Sequence, residues 1–231
     1  MALVNIREVS TGVRLGLWRM DEEPEELFAR YPHLLRLECP YKYSVRRKEF
    51  FCVRALLLAM TGDPELRIEH AESGRPFVVG RESQIPDKGR DGGTGWEVSI
   101  SHTKGYAVLM LSSDKAVGVD IEYRSDRVAK IASHYIRPDE MAWDCKSPVT
   151  NGTKETGKPL TTEQMLVLWC AKETLYKLHS DDNLAYFDMR ATGFTVDGEL
   201  LLENMKRGTL VKVHIEPTAD YVLTWAVEEN V

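Results

Sequence analysis

The run Gly118-Val119-Asp120-Ile121-Glu122 alternates apolar residues with a glycine and two acids. Successive side chains of a β-strand point to opposite faces, so this period of two predicts a strand. Val119 and Ile121 would face a core, and Asp120 and Glu122 would share the other face. The glycine on the acidic face would let a ligand approach the backbone closely.

Two carboxylates spaced two residues apart on one strand face repel each other unless a cation or another partner lies between them. A hard, oxygen-liganded cation such as Mg²⁺ is the simplest partner for Asp120 and Glu122. An ordinary amphipathic strand with its polar face in water explains the same pattern. The strand therefore predicts a metal site only in combination with other signals.

A second informative run is the helix Trp169-Cys170-Ala171-Lys172-Glu173-Thr174-Leu175-Tyr176-Lys177. Glu173 and Lys177 are four residues apart and lie on one helical face, with Trp169 one turn earlier. A surface ion pair, worth about 0.3–0.5 kcal/mol, would account for this spacing. The apolar residues around these charges instead indicate that Glu173 is partly buried, and a buried carboxylate needs a cation as neighbour. Lys172 projects elsewhere, either toward a phosphate or toward solvent.

The remaining patterns alternate between helical and strand periods. Helices are predicted over residues 22–36, 43–60, 128–135 and 138–143, and from a capping box formed by Thr161 and Gln164. A strand and a turn are predicted over 3–19, further strands over 77–79, 96–101, 106–112 and within 191–231, a loop over 86–95 and a mobile excursion over 144–160. Both halves contain helical sequence followed by strands. We therefore expect an α+β architecture of two related halves, 1–112 and 113–231.

Composition excludes several classes of protein. The 231 residues are 43% hydrophobic and 29% charged, as in ordinary globular proteins, and the net charge of −6 argues against a general nucleic-acid binder. The longest apolar run, Ala55 to Met60, is too short to cross a bilayer. Residues 1–8 lack the order of a secretory signal, and the four cysteines show no metal-ligand spacing. A cytoplasmic enzyme or binding protein that does not interact with membranes is expected.

Five short motifs follow one another between residues 45 and 178. They are Arg54-Ala55-Leu56-Leu57, Gly74-Arg75-Pro76, Ser101-His102, the G-x-D-x-E strand at 118–122, and W-x-x-K-E-x-x-x-K at 169–177. In this order they resemble the 4′-phosphopantetheinyl transferases, specifically the longer type that activates surfactin synthetase.

The resemblance implies a fold and an activity. The fold would be two similar α+β halves, each with a helix packed on a small antiparallel sheet, with the active site between them. The enzyme, a holo-[acyl-carrier-protein] synthase, would move the phosphopantetheine arm of coenzyme A onto a serine of an apo acyl or peptidyl carrier protein. The reaction would need Mg²⁺, with Mn²⁺ as an alternative, and would release adenosine 3′,5′-bisphosphate. The chain would act as a monomer.

The resemblance also assigns roles to residues. Asp120, Glu122 and Glu173 would hold the metal, Glu173 would accept the proton of the carrier serine, and Lys177 would stabilise the bridging phosphate, with Lys172 as a helper. Ser101 and His102 would contact the pyrophosphate or the 3′-phosphate, Arg75 the nucleotide end, and Arg54 with one or more of Arg46, Arg47 and Lys48 the 3′-phosphate. Glu140 matches an acidic position near the pocket.

Two other functions remain open from the sequence. A Mg²⁺-dependent nucleotide phosphohydrolase would use the same carboxylates without a carrier protein. A non-catalytic coenzyme A-binding module would not need them, and the presence of Asp120, Glu173 and Lys177 argues against it.

Overall fold

The computed structural model describes residues 2–80, 95–141 and 159–228. Its contacts divide the chain into an N-terminal unit, residues 1–117, and a C-terminal unit, residues 118–231. Each unit combines helices with small sheets, so the predicted α+β class is confirmed. Most of the predicted loop over 86–95 and of the excursion over 144–160 lies outside the described residues. Within the described ranges, no helix is both long and apolar enough to cross a bilayer.

The N-terminal unit contains a four-stranded antiparallel sheet of strand order β1-β2-β6-β5 and a two-stranded sheet β3-β4. Its elements are β1 (Leu3–Ser10), β2 (Val13–Arg19), α1 (Pro24–Arg30), a 3₁₀ turn (Pro32–Arg36), α2 (Ser44–Thr61), β3 (Arg67–His70), β4 (Pro76–Val79), β5 (Glu97–Thr103) and β6 (Tyr106–Ser112).

Helix α2 packs its apolar side on β2 and β6, as its periodicity predicts. Close packing is possible because β2 carries Gly16, where a Cβ atom would lie only 2.7 Å from the sulfur of Met60. The helix ends at Gly62, which adopts the left-handed conformation (φ +73°) that glycine accepts without strain. The predicted helix is confirmed to within one residue at each end.

Three predictions in other segments are wrong. Residues 3–19 form two paired strands joined by a turn at Gly12, not a single strand followed by a turn. The helix predicted over 22–36 is interrupted, because Pro32 lacks the N–H that a continuing helix would need and starts a separate 3₁₀ turn. Residues 138–141, the described part of the helix predicted over 138–143, form turns.

The C-terminal unit contains a five-stranded sheet of order β7-β11-β10-β9-β8 covered by one long helix. Its elements are β7 (Val117–Tyr123), α3 (Arg127–Lys130), α4 (Ala132–Tyr135), α5 (Thr162–Leu178), 3₁₀ turns (Ser180–Asp182 and Tyr186–Asp188), β8 (Met189–Phe194), β9 (Leu200–Asn204), β10 (Thr209–Pro217) and β11 (Tyr221–Val227). The predicted capping box opens α5: Thr161 accepts from the Gln164 amide, and the Gln164 side chain accepts from the Thr161 amide.

Strand β7 is buried on both faces, including the face that carries Asp120. A Cβ atom on Gly118 would lie 2.3 Å from the carbonyl oxygen of Thr174 and 3.0 Å from the amide nitrogen of Leu178. The glycine therefore admits the backbone of α5 and not a ligand, which corrects the expectation from sequence. This contact brings the acidic strand directly against the lysine-glutamate helix.

We expect Gly118→Ala to destabilise the C-terminal unit, because the obstructing atoms belong to helix backbone and cannot turn aside. Overpacking of this kind costs about 1–3 kcal/mol. Gly193→Ala in β8 is the matched control, since no atom lies within 4 Å of its added Cβ. Urea unfolding of both variants measures the difference; equal stabilities would contradict the proposed close packing of α5 on β7.

Candidate active site

Asp120 and Lys177 form an ion pair that joins β7 to α5. The Lys177 ammonium donates to the Asp120 carboxylate at 2.8 Å and to the carbonyl oxygen of Val119 at 3.0 Å. Asp120 is only 4% exposed, whereas the lysine side chain is 25% exposed. Lys177 therefore presents a partly accessible cation beside a buried carboxylate.

Glu173, one turn before Lys177, has a different partner. Its Oε1 accepts a hydrogen bond of 2.6 Å from the hydroxyl of Tyr186. Burial raises the pKa of Glu173; the Tyr186 hydrogen bond and Lys177 lower it, and the nearby Asp120 charge raises it. A carboxylate with a raised pKa is a better proton acceptor near neutral pH than an ordinary glutamate.

Glu122, the second acid of the strand, is tied to the tryptophan of the helix motif. The Trp169 indole donates to Glu122 Oε1 at 3.2 Å. Its ring packs on Tyr135 and Tyr186, with centroid separations of 5.0 and 5.2 Å. Trp169 thus links the outer acid of β7 to the aromatic residues around Glu173.

Lys172 forms a fully buried ion pair with Glu140. Its ammonium donates at 2.7 Å to Glu140 and at 2.7 and 3.4 Å to the carbonyl oxygens of Tyr135 and Tyr186, and both charged side chains are at most 1% exposed. Burial lowers the pKa of Lys172, and Glu140 opposes that shift. The alternative that this lysine extends to solvent is wrong. Its ammonium has three protein acceptors, and its predicted phosphate contact stays a prediction.

The structure does not gather the predicted metal ligands into a coordination group. Among the described residues, no cluster of three or more His, Cys, Asp or Glu side chains is placed to hold a metal ion. Asp120, Glu122 and Glu173 instead face three separate protein donors.

The chemistry of these three side chains nevertheless suits a hard divalent cation. A carboxylate has about four lone-pair positions, so one donor does not saturate it. The hydrogen bond from Lys177 to Asp120 holds the acidic strand against the helix that carries Glu173. Oxygen ligands of this kind are those that Mg²⁺ prefers.

The N-terminal unit contains a cavity of about 620 Å³, called the basic cavity below, whose lining includes four arginines and three glutamates. Its walls come from α2, β3, β5 and the segment before α2, and its charged and imidazole side chains are Arg36, Glu38, Arg46, Glu49, Arg54, Arg67, Glu69, His70 and His102. Aromatic walls are supplied by Tyr41 and Phe50. Cations beside aromatic rings favour an anionic ligand that carries a flat ring.

Arg54 is the most constrained cation of this cavity. Its guanidinium lies 3.4 Å from the ring centroid of Phe50 and donates to the carbonyl oxygens of Phe50 and Ile68. Burial lowers the pKa of Arg54 to about 10. It remains protonated at neutral pH and is held in place before any ligand arrives.

The other predicted coenzyme contacts are distributed unevenly. His102 lies in β5, one residue beyond the strand predicted over 96–101, and its Nδ1 is 3.4 Å from Glu49, which also binds Arg46 at 3.1 Å. The remaining four do not line the cavity. Arg47 is stacked near Phe51, Lys48 pairs with Glu23, Arg75 pairs with Glu97 at 2.6 Å, and Ser101 is buried in β5.

Residues 116–226 match the family model of the 4′-phosphopantetheinyl transferase superfamily. This part of the chain belongs to that superfamily. The superfamily prediction is thereby confirmed over just under half of the chain, whereas the longer, surfactin-synthetase-activating type stays a prediction. A search of the curated proteins found no match to this chain. The match runs from the start of β7 to β11, and so includes every carboxylate and lysine described above for the C-terminal unit.

Several residues near these two sites carry no sequence signal that would have predicted them. Tyr186 contacts Glu173 from a segment with no recognisable motif, so only the fold reveals it. Arg36 and Arg67 line the basic cavity, and in the described parts of the chain neither guanidinium has a hydrogen-bond or ion-pair partner. No spacing pattern links these two arginines, because Arg36 ends a 3₁₀ turn and Arg67 begins β3, 31 positions later in the sequence.

Proposed function

We propose that this phosphopantetheinyl transferase moves the 4′-phosphopantetheine arm of coenzyme A onto a serine of an apo acyl or peptidyl carrier protein. The reaction uses Mg²⁺ and releases adenosine 3′,5′-bisphosphate. The observation that carries the proposal is the joining of Asp120 to Lys177, beside Glu173, within the unit that matches the superfamily.

Asp120, Glu122 and Glu173 are the residues proposed to hold the divalent ion. When bound, the ion neutralises charge on the pyrophosphate of coenzyme A as the leaving phosphate departs. Because the three carboxylates now face separate donors, we expect their side chains to reorient when the ion and coenzyme A bind.

Glu173 is proposed as the general base. The carrier serine oxygen forms a bond to the phosphorus that bears the pantetheine arm, and its proton passes to the Glu173 carboxylate. The bond from that phosphorus to the bridging oxygen breaks, which releases adenosine 3′,5′-bisphosphate. Lys177, whose side chain is partly exposed, donates to phosphate oxygens that gain charge in this step.

The basic cavity of the N-terminal unit is proposed to bind the nucleotide end of coenzyme A. Arginine is well suited to phosphate because its planar guanidinium donates two parallel hydrogen bonds. Arg54 and Arg46, with Arg36 and Arg67, supply the positive charge for the 3′-phosphate, and His102 adds a further donor. Arg47, Ser101, Arg75 and Lys172 do not line this cavity, and their proposed contacts rest on the sequence motifs alone.

We expect His102→Ala to weaken coenzyme A binding about 10–100-fold, because a hydrogen bond to a charged group contributes about 1.5–3 kcal/mol. The turnover number should fall much less. Calorimetric titration of coenzyme A measures the affinity. His33→Ala is the matched control, since His33 lies outside this cavity. Unchanged affinity in His102→Ala would reject the assigned contact.

The activity itself is tested by incubating the protein with coenzyme A, Mg²⁺ and several purified apo carrier proteins. A carrier that gains the mass of one phosphopantetheine group supports transfer and identifies the preferred acceptor. Nucleotide release with every carrier unmodified would instead indicate a phosphohydrolase. Coenzyme A binding without either product would indicate a binding module.

A further inference from the structure

The helix motif brings Glu173 and Lys177 to the i, i+4 spacing at which a glutamate and a lysine normally pair. In the described residues they do not pair. Lys177 donates to Asp120 and to the Val119 carbonyl, whereas Glu173 accepts from the Tyr186 hydroxyl. A neutral donor therefore occupies the position that a lysine ammonium would be expected to take beside Glu173.

Tyr186 is held firmly enough to act as a fixed donor. Its carbonyl oxygen accepts from the buried Lys172 ammonium at 3.4 Å, and its ring lies 5.2 Å from that of Trp169. The turn that contains it is closed by Asp188, whose carboxylate accepts from the Ala185 amide at 2.9 Å. The buried Lys172–Glu140 pair thus supports the segment from which the hydroxyl reaches Glu173.

The hydrogen-bond donor beside Glu173 determines whether its negative charge stays available to a cation. Pairing with Lys177 would neutralise the carboxylate and remove the lysine from Asp120. A neutral hydroxyl leaves the full negative charge on Glu173 and orients it. Hydrogen bonds from outside the coordination shell orient metal-binding side chains, and their loss typically lowers metal affinity about 10–100-fold.

We propose that Tyr186 is a positioning residue that keeps Glu173 apart from Lys177 and so preserves Glu173 as a ligand for a divalent cation. This inference rests on the proposed function, in which Glu173 binds the ion. It assigns Lys172 and Glu140 a supporting role behind Tyr186.

The test is a titration of the purified protein with Mn²⁺ alone, in which the electron paramagnetic resonance signal of the free ion measures how much Mn²⁺ remains unbound. We expect Tyr186→Phe, which keeps the ring but loses the hydroxyl, to bind Mn²⁺ about 10–100-fold more weakly than the wild type. Tyr176→Phe is the matched control. Tyr176 lines the same cavity of about 490 Å³ as Glu173 and Tyr186. The Tyr176→Phe variant should bind Mn²⁺ with the affinity of the wild type.

A kinetic measurement adds a second readout. Tyr186→Phe should lower kcat for carrier modification with little change in the KM for coenzyme A, since the basic cavity is untouched. Wild-type Mn²⁺ affinity in Tyr186→Phe would overturn the inference and leave the proposed function standing. A wild-type protein that binds no Mn²⁺ would overturn the inference and the proposed metal site together.

Discussion

Glu173→Gln is expected to lower the turnover number for carrier modification by about 10²–10⁴-fold, the usual contribution of a general base. Glutamine keeps an oxygen that can accept from Tyr186 at the position of the 2.6 Å hydrogen bond, so the local structure should persist. It has neither the negative charge that would hold a metal ion nor the basicity to take the serine proton. Quantifying holo-carrier formation over time by mass spectrometry measures the rate.

Glu163→Gln provides the matched control on the same helix. Glu163 lies in the first turn of α5, and its partly exposed side chain pairs with Arg124 at 3.0 Å. This substitution should leave the rate unchanged. If Glu173→Gln turned over as fast as Glu163→Gln, Glu173 could not be the base.

Lys172→Met is expected to lower the free energy of unfolding by about 3–5 kcal/mol, the cost of leaving one member of a buried ion pair without its partner. Glu140 would remain 1% exposed and, within the described residues, would accept only from the amides of Arg137 and Ala191. Urea denaturation followed by circular dichroism measures the loss. We expect the whole C-terminal unit of the variant to lose stability, because Glu140 binds Lys172 of α5 and also accepts from the Ala191 amide of β8.

Two further variants sharpen this prediction. The double variant Lys172→Met, Glu140→Gln also removes the buried, unpaired negative charge of Glu140. It should therefore recover part of the lost stability. Lys206→Met breaks an ion pair whose side chains are 43% and 34% exposed, and should cost about 1 kcal/mol or less. A Lys172→Met variant as stable as Lys206→Met would mean that the buried pair contributes little.

The long helices were predictable because their ends carry strong local signals. Gly62 ends α2 and the Thr161–Gln164 capping box opens α5, and both signals act within one helical turn. The sequence over 3–19 predicts a strand and a turn but not the second strand, β2, which is defined by its pairing with β1 and β6. Pro32 is also a local signal, and it separates α1 from the following 3₁₀ turn because it has no backbone N–H to continue the helix.

The sequence motifs name the candidate site residues of the C-terminal unit, but they do not predict the hydrogen-bond partners of those residues. Local spacing favours Glu173 with Lys177, whereas the fold joins Lys177 to Asp120, 57 positions away. Likewise Lys172 meets Glu140, 32 positions away, in an interior that no local pattern reveals. Gly118 belongs to the predicted motif. A glycine is needed at this position because the backbone of α5 packs against it, which only the tertiary structure shows.

The central claim is that Asp120, Glu122 and Glu173 together hold one divalent ion on coenzyme A. A crystal structure of the protein soaked with Mn²⁺ and coenzyme A, with anomalous scattering to locate the metal, tests it most directly. We predict a single Mn²⁺ peak within bonding distance of an oxygen from each of the three side chains and of the pyrophosphate. A pyrophosphate bound with no shared ion, or a metal peak away from these carboxylates, would contradict the claim.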